Sequence, residues 1–370
     1  MQAAPPALGQ PFSLYLDLTR FAAAVVVVLA HISYFGVIPE GAWGLLPHMG
    51  REAVMVFFVL SGYVIASSTA QRRPSARAYA AARLSRVYSV ALPILLLALA
   101  AAAAVRSFTD VVPPNAYVLD KLYVYLPLHL LFLGGHWTLA ETPPYMLPYW
   151  SLGYEAWYYL LFGLACYLRG RRRILMLALA LSFMGYKLWL LLPVWLAGAW
   201  LCRSYRAPWL GVHAARIGWL ASVLLFGAWV GLHLEEQLRA LGNAIWPYAA
   251  LPLGSADRYL GDWLLCLIVL ANFACARDAG FTALLRVARP VRNLASHTFT
   301  LYLSHALVIG LWQLFYPGRS TAGGILVLLA AIAATAIVLG AVTEGRRPAW
   351  RACFERLLAP RGVAADRSAA

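Results

Sequence analysis

Charge is scarce in this 370-residue chain. Asp, Glu, Lys and Arg together make up 12% of it, against about a quarter of an average soluble domain. Acids are scarcer than bases, 15 against 30, and lysine is nearly missing, present only as Lys121 and Lys187. With 62% hydrophobic residues and a mean hydropathy of +0.69, this shortage excludes an ordinary soluble domain. The apolar runs are continuous rather than alternating, which argues for membrane helices and against a barrel. Cysteine carries no chemistry: Cys166, Cys202, Cys266, Cys275 and Cys353 form no CxxC pair and no Cys/His ligand set. Neither a disulfide framework nor a metal site is expected. There is also no repeat of solenoid length and no low-complexity tract.

What is present is arginine. The net charge of +15 raises nucleic acid as a partner, but the arginines cluster between apolar runs, where membrane topology accounts for them. No nucleic-acid partner is expected. A guanidinium fork also pairs with oxyanions in two-toothed fashion, so the same bias suits phosphate recognition.

Counting apolar runs predicts an all-α polytopic membrane protein with about ten transmembrane helices. They cover roughly 13–35, 53–69, 87–105, 149–168, 174–191, 193–202, 216–233, 259–276, 296–315 and 322–342. The basic stretches 71–86, 169–173, 203–216, 277–292 and the tail from Arg346 all fall on one side, which the positive-inside rule makes cytoplasmic, together with both termini. The run 122–139 does not fit. It holds Pro127, His129, Gly134, Gly135 and His136, and both its ends fall outside, so it is expected to be re-entrant or interfacial. The division expected is a cytoplasmic tail over 1–12, a membrane domain over 13–345 and a basic cytoplasmic tail over 346–370. The part after Pro360 is small, polar and expected to be disordered.

Four groups of polar residues stand out. Arg20 and His31 are eleven residues apart on the first helix, about three turns and ~16.5 Å of rise, hence on one stripe facing a polar cavity. Asp17 is placed to pair with Arg20. A signal peptide flanked by Arg20, or a histidine satisfied in a core, is the plain alternative. Arg72, Arg73, Arg77, Arg83 and Arg86 form the second group, explained by topology, by phosphate binding or by both. In the third, Ser151 and Glu155 share a helix face, and Glu155 is the clearest carboxylate set inside a span. His297 and His305 form the last; hydrogen-bonded core is favoured for His297 and the role of His305 is left open.

These pieces together resemble the acyltransferase-3 family of membrane-bound O-acyltransferases, over nearly the whole chain and in order. The likeness rests on the spacing of Arg20 and His31 and on Phe57-Phe58-Val59-Leu60-Ser61-Gly62-Tyr63. It rests further on Arg83-Leu84-Ser85-Arg86, on Trp150-Ser151-Leu152 with Glu155, and on Tyr302-Leu303-Ser304-His305. Two departures are Met55 and Val56 where the family often has an aspartate, and Ser89 where it often has a proline.

The resemblance implies transfer of an acyl group, commonly acetyl from acetyl-CoA, to a hydroxyl of a cell-surface or secreted carbohydrate. Arginine richness and alanine abundance point to a high-GC bacterial coding sequence, so a bacterial inner membrane is the expected setting. No cofactor is expected to be permanently bound; the partners are acyl-CoA, the carbohydrate acceptor and the bilayer. Larger members add a hydrolase-like domain, which is not expected here. In the mechanism this suggests, CoA phosphates dock at Arg83 and Arg86 with Arg20 as a further donor-binding group. His31 deprotonates the acceptor or carries the acyl group, and Glu155 with Ser151 orients the imidazole. A transporter or flippase of a glycan or lipid-linked intermediate is the rival reading, and a sensor or scaffold a weaker third.

Overall fold

The computed structural model describes residues 8–38, 49–316 and 320–359. Among them there are helices and no strand. The α-helices are α1 (Gln10–Tyr34), α2 (Gly50–Arg72), α3 (Ala76–Phe108), α4 (Tyr117–Asp120), α5 (Leu122–Leu130), α6 (Tyr149–Tyr167), α7 (Gly170–Met184) and α8 (Tyr186–Ser204). They continue as α9 (Val212–Gly231), α10 (Leu234–Ile245), α11 (Tyr259–Asp278), α12 (Ala288–Ser296), α13 (Thr298–Phe315), α14 (Ala322–Val342) and α15 (Arg347–Leu357).

Local chemistry sets several of the boundaries. Pro11 sits in the first turn of α1, where its missing N–H costs nothing. Arg73 ends α2 in the left-handed region, and Pro74 follows it. Ser75 then caps α3 by accepting from the Ala78 N–H at 3.2 Å, and Thr321 caps α14 by accepting from the Gly324 N–H at 3.2 Å.

Seven helices, α1, α2, α3, α9, α11, α13 and α14, are long and apolar enough to cross a membrane. The pair α7 and α8, bent by 120° at Gly185, brings the number to eight. The sequence reading of about ten differs at α6, α7 and α8. The 19-residue α6 has the length, but Tyr149, Tyr154, Tyr158, Tyr159 and Tyr167 lower its hydropathy. At the bend Gly185 has φ +82° and its α-carbon faces Trp137 so closely that a Cβ would meet that residue at 2.7–2.9 Å.

The tightest crossing joins α2 and α8. A Cβ on Gly62 would lie 2.0 Å from the Trp195 carbonyl oxygen, and one on Gly198 would lie 1.9 Å from the Val59 carbonyl oxygen. Each backbone fills the space the other's missing side chain leaves. Around this crossing lies the main core, with Phe58, Tyr63, Ile94, Tyr154, Tyr158, Trp195 and Phe273. A second core packs α1 against α13 and α14 through Val28, Ile32, Leu301, Ile309 and Ile332.

The awkward run is irregular after α5; His129, Phe132 and His136 are buried in it, while Leu131, Trp137 and Leu139 stay exposed. Its carbonyls are taken up by neighbouring side chains. Tyr149 donates to His129 O at 2.9 Å, Trp157 to Leu131 O at 3.2 Å and Lys187 to Leu139 O at 2.6 Å. Both His129 and His136 are buried and pack edge-on to aromatic rings, His129 on Tyr149 at 6.0 Å and His136 on Trp157 at 4.8 Å between centroids. At the other extreme of the chain, the expected basic tail contains a helix: α15 packs along α3, with the Phe354 ring 5.9 Å from that of Tyr88. The tail after Pro360 and residues 1–7 lie outside the described residues.

Candidate active site

α1 runs unbroken from Arg20 to His31, so the helix itself separates an arginine end from a histidine end by the ~16.5 Å of rise expected of it.

At the arginine end a cavity of about 340 Å³ opens between α2, α3, α6 and α13. Five of the six site residues picked from the sequence line it: Arg20, Arg83, Arg86, Ser151 and Glu155. Arg20 is held by Asp17 at 3.3 Å. Arg83 stacks over the rings of Tyr79 and Tyr159, 5.8 Å from each centroid, and Arg86 lies 5.7 Å from that of Phe299. These aromatic faces hold the guanidiniums without neutralising them. Neither Arg83 nor Arg86 has a carboxylate within 4.0 Å among the described residues, and Arg83 Nε is buried without a hydrogen-bond partner there. Arg72 and Arg347 line the same cavity.

Glu155 lies inside this arginine chamber. Its Oε1 accepts from Ser61 at 2.5 Å and from the Tyr159 hydroxyl, and Ser61 in turn accepts from Trp195 Nε1 at 3.2 Å. The expectation that Glu155 orients His31 therefore does not match the contacts. Spacing along a helix fixes which face a residue shares, not which neighbour that face meets. Ser151 donates to Pro148 O at 3.0 Å and bonds the Tyr302 hydroxyl at 2.6 Å.

Tyr302 links the two ends. It lines the cavity, and three residues further along α13 is His305, whose ring centroid is 6.2 Å from that of Tyr302. His305 Nε2 lies 3.1 Å from His31 Nδ1, although the two are 274 residues apart in sequence. Two carbonyls fix the protons. His31 Nδ1 is 2.9 Å from Val27 O and His305 Nδ1 is 3.1 Å from Leu301 O. A carbonyl only accepts, so each Nδ1 carries a hydrogen. His305 Nε2 is then the acceptor facing His31. His31 Nε2 keeps its lone pair, with no hydrogen-bond partner among the described residues. The His31 ring is thus held by the Val27 carbonyl and by His305, whose role the sequence left open.

Residues 13–343 match the acyltransferase domain family, acyltransferase-3. The chain belongs to the acyltransferase-3 family. It is a multi-pass membrane acyltransferase. No curated protein and no solved structure is significantly similar to it.

Several residues around this candidate site were not singled out from the sequence. Ser61 lay inside a quoted motif without a role, and Tyr159 was set aside as an interfacial aromatic. Its place four residues after Glu155 was the available signal. Arg292, Glu344 and Arg347 border a second cavity of about 370 Å³, which shares Arg20 and Arg86 with the first. His297, expected as core, also lines it. Among the described residues no group of three or more His, Cys, Asp or Glu side chains is arranged to hold a metal.

Proposed function

We propose that this acyltransferase moves an acyl group, acetyl in the first instance, from acyl-CoA to a hydroxyl of a cell-surface or secreted carbohydrate. The observation that carries the reading is the pairing of a cavity with more arginines than acids, in which Arg83 and Arg86 have no carboxylate within 4.0 Å among the described residues, with an imidazole that has a free Nε2, joined along α1. The arginine end faces the cytoplasm, where CoA is found, and so do both termini. Arg83 and Arg86 take the diphosphate, with Arg20 beside them, through charge-assisted and two-toothed contacts. The extended arm of CoA then runs past Phe57, Ser151 and Tyr302 toward the histidine end.

There His31 Nε2 takes the proton of the acceptor hydroxyl as its oxygen attacks the thioester carbonyl. The carbon–sulfur bond breaks, CoA leaves as the thiolate, and the proton on His31 returns to it or to water. His305 Nε2 accepts from His31 Nδ1–H throughout, which fixes the tautomer and spreads the charge of the imidazolium. Glu155 acts one step removed: with Ser61 and Tyr159 it supports the arginines, so its neutralisation is expected to weaken donor binding more than turnover.

Purified protein in detergent, given acetyl-CoA and a mixture of glycans, is expected to release free CoA only when glycan is present. His31→Ala is expected to reduce this by about 10²–10⁴-fold, the range for removing a general base, while still binding CoA. A His31→Ala protein that transfers at the wild-type rate removes the assignment. A transporter would need no thioester and release no CoA.

A further inference from the structure

The two cavities at the arginine end share a wall made of Arg20, Arg86, Ala295, Phe299, Glu344 and Arg347. They differ in what else they touch. The first reaches Phe57, Ser151 and Tyr302, and so leads toward the histidine pair. Asp17, Ser89, Arg292, Ser296, His297 and three residues around Gly340 line only the second, and none of these lies on the route to Tyr302. The second cavity is a side chamber. A donor whose reactive arm occupies the first can use the second only for a group that branches from the main run.

The charge of the side chamber identifies the group. Arg20, Arg86, Arg292 and Arg347 face it, against the two acids Asp17 and Glu344. Both acids are already engaged: Asp17 holds Arg20 at 3.3 Å, and Glu344 accepts from the Thr300 hydroxyl at 2.8 Å and from its N–H at 3.3 Å. Arg292 and Arg347 have no carboxylate within 4.0 Å among the described residues. Nδ1 of His297 is buried without a hydrogen-bond partner there. With Arg20 and Arg86 shared with the diphosphate, and Asp17 and Glu344 already engaged, Arg292 and Arg347 are the two cations left for the branch, which suits a phosphate monoester at about −1.5 to −2. Gly340 lets the His297 ring pack against α14, since a Cβ there would meet His297 Nδ1 at 2.4 Å.

Resting on the reading of CoA as donor, we infer that this side chamber receives the 3′-phosphate of CoA. Arg292 and Arg347 are the residues that distinguish CoA from its 3′-dephospho form. The ribose phosphate is the anionic branch of CoA, and the diphosphate and arm stay in the first cavity against Arg83.

The test measures dissociation constants of acetyl-CoA and acetyl-3′-dephospho-CoA for the full chain in detergent, and for Arg292→Gln and Arg347→Gln made separately. Wild type is expected to prefer acetyl-CoA by about tenfold or more, the scale of one charge-assisted contact. Each variant is expected to bring that ratio toward one. Equal affinities in wild type overturn the inference while leaving the donor reading intact, and need no variant. A wild-type preference that persists unchanged in a folded variant also overturns it, because the phosphate is then read elsewhere. Failure to bind either donor removes the donor reading and this inference with it.

Discussion

Two buried guanidiniums on aromatic rings make the useful contrast in this molecule. Arg51, at the start of α2, lies 5.0 Å from the centroid of Trp150 and meets Asp262 with two bonds, Nε to Oδ1 at 3.0 Å and Nη2 to Oδ2 at 2.5 Å. Asp262 is 2% exposed, so the pair is sealed. Arg86 sits just as snugly on Phe299 but finds no carboxylate within 4.0 Å and borders both arginine-end cavities. Both charges are costly to bury. One is matched within the chain and joins α2 to α11. The other reaches the neutral Tyr159 hydroxyl but no carboxylate at contact distance, and it borders open space, which is the arrangement of a group whose partner arrives from outside. The neighbours of a buried charge separate architecture from binding better than its burial does.

That contrast can be broken by substitution. The largest effect is expected from Asp262→Asn, which strands Arg51 without its counter-charge. A loss of about 3–5 kcal/mol is expected, read as a lowered melting temperature in detergent. Removing both charges together as Arg51→Met with Asp262→Leu should restore much of it. Arg86→Gln is expected to do the opposite: a small change in melting, but donor affinity weakened by about ten- to a hundredfold, measured by titration with acetyl-CoA. If Arg86→Gln melts as badly as Asp262→Asn, the two guanidiniums are not different in kind. The smallest effect is expected from Asp120→Asn. Its pair with Arg106 spans 2.5 Å, but both side chains are about half exposed, 48% and 54%. Solvent screens such a pair to within about 0.5 kcal/mol, so neither melting nor donor binding should move.

The parts of the site that could be read in the sequence are those confined to one helix. Arg20 and His31 share α1, Arg83 and Arg86 share α3, and Ser151 and Glu155 share α6; in each case helical spacing places the pair without knowledge of any neighbour. All but His31 line the first cavity. What could not be read is every relation between helices. His305 reaches His31 only because α13 packs on α1, and Arg51 reaches Asp262 only because α2 packs on α11. No periodicity encodes which face of one helix meets which face of another. The same limit misassigned Glu155, whose position inside a span was legible while its partners, Ser61 and Tyr159, were not. For the fold, hydropathy identified the helical membrane class and seven of the spans. It was less informative at α6, where tyrosines replace aliphatic residues, and at α15, a charged helix inside the stretch read as a basic tail.

The glycine-to-backbone crossing of α2 and α8 has a consequence for the order in which the protein comes into being. α2 is synthesised early, but the helix that seats against Gly62 is not made until α3 to α7 have followed. During that interval Ser61 lacks the Trp195 indole that donates to it in the finished fold. The wall behind Glu155 is therefore completed only once α8 has docked. A nascent chain stopped short of α8 holds most of the arginines of the proposed donor cavity without the chamber that gives them their geometry. Donor binding becomes a property of the assembled bundle, and a ribosome stalled before residue 204 should carry a chain that inserts but captures no CoA.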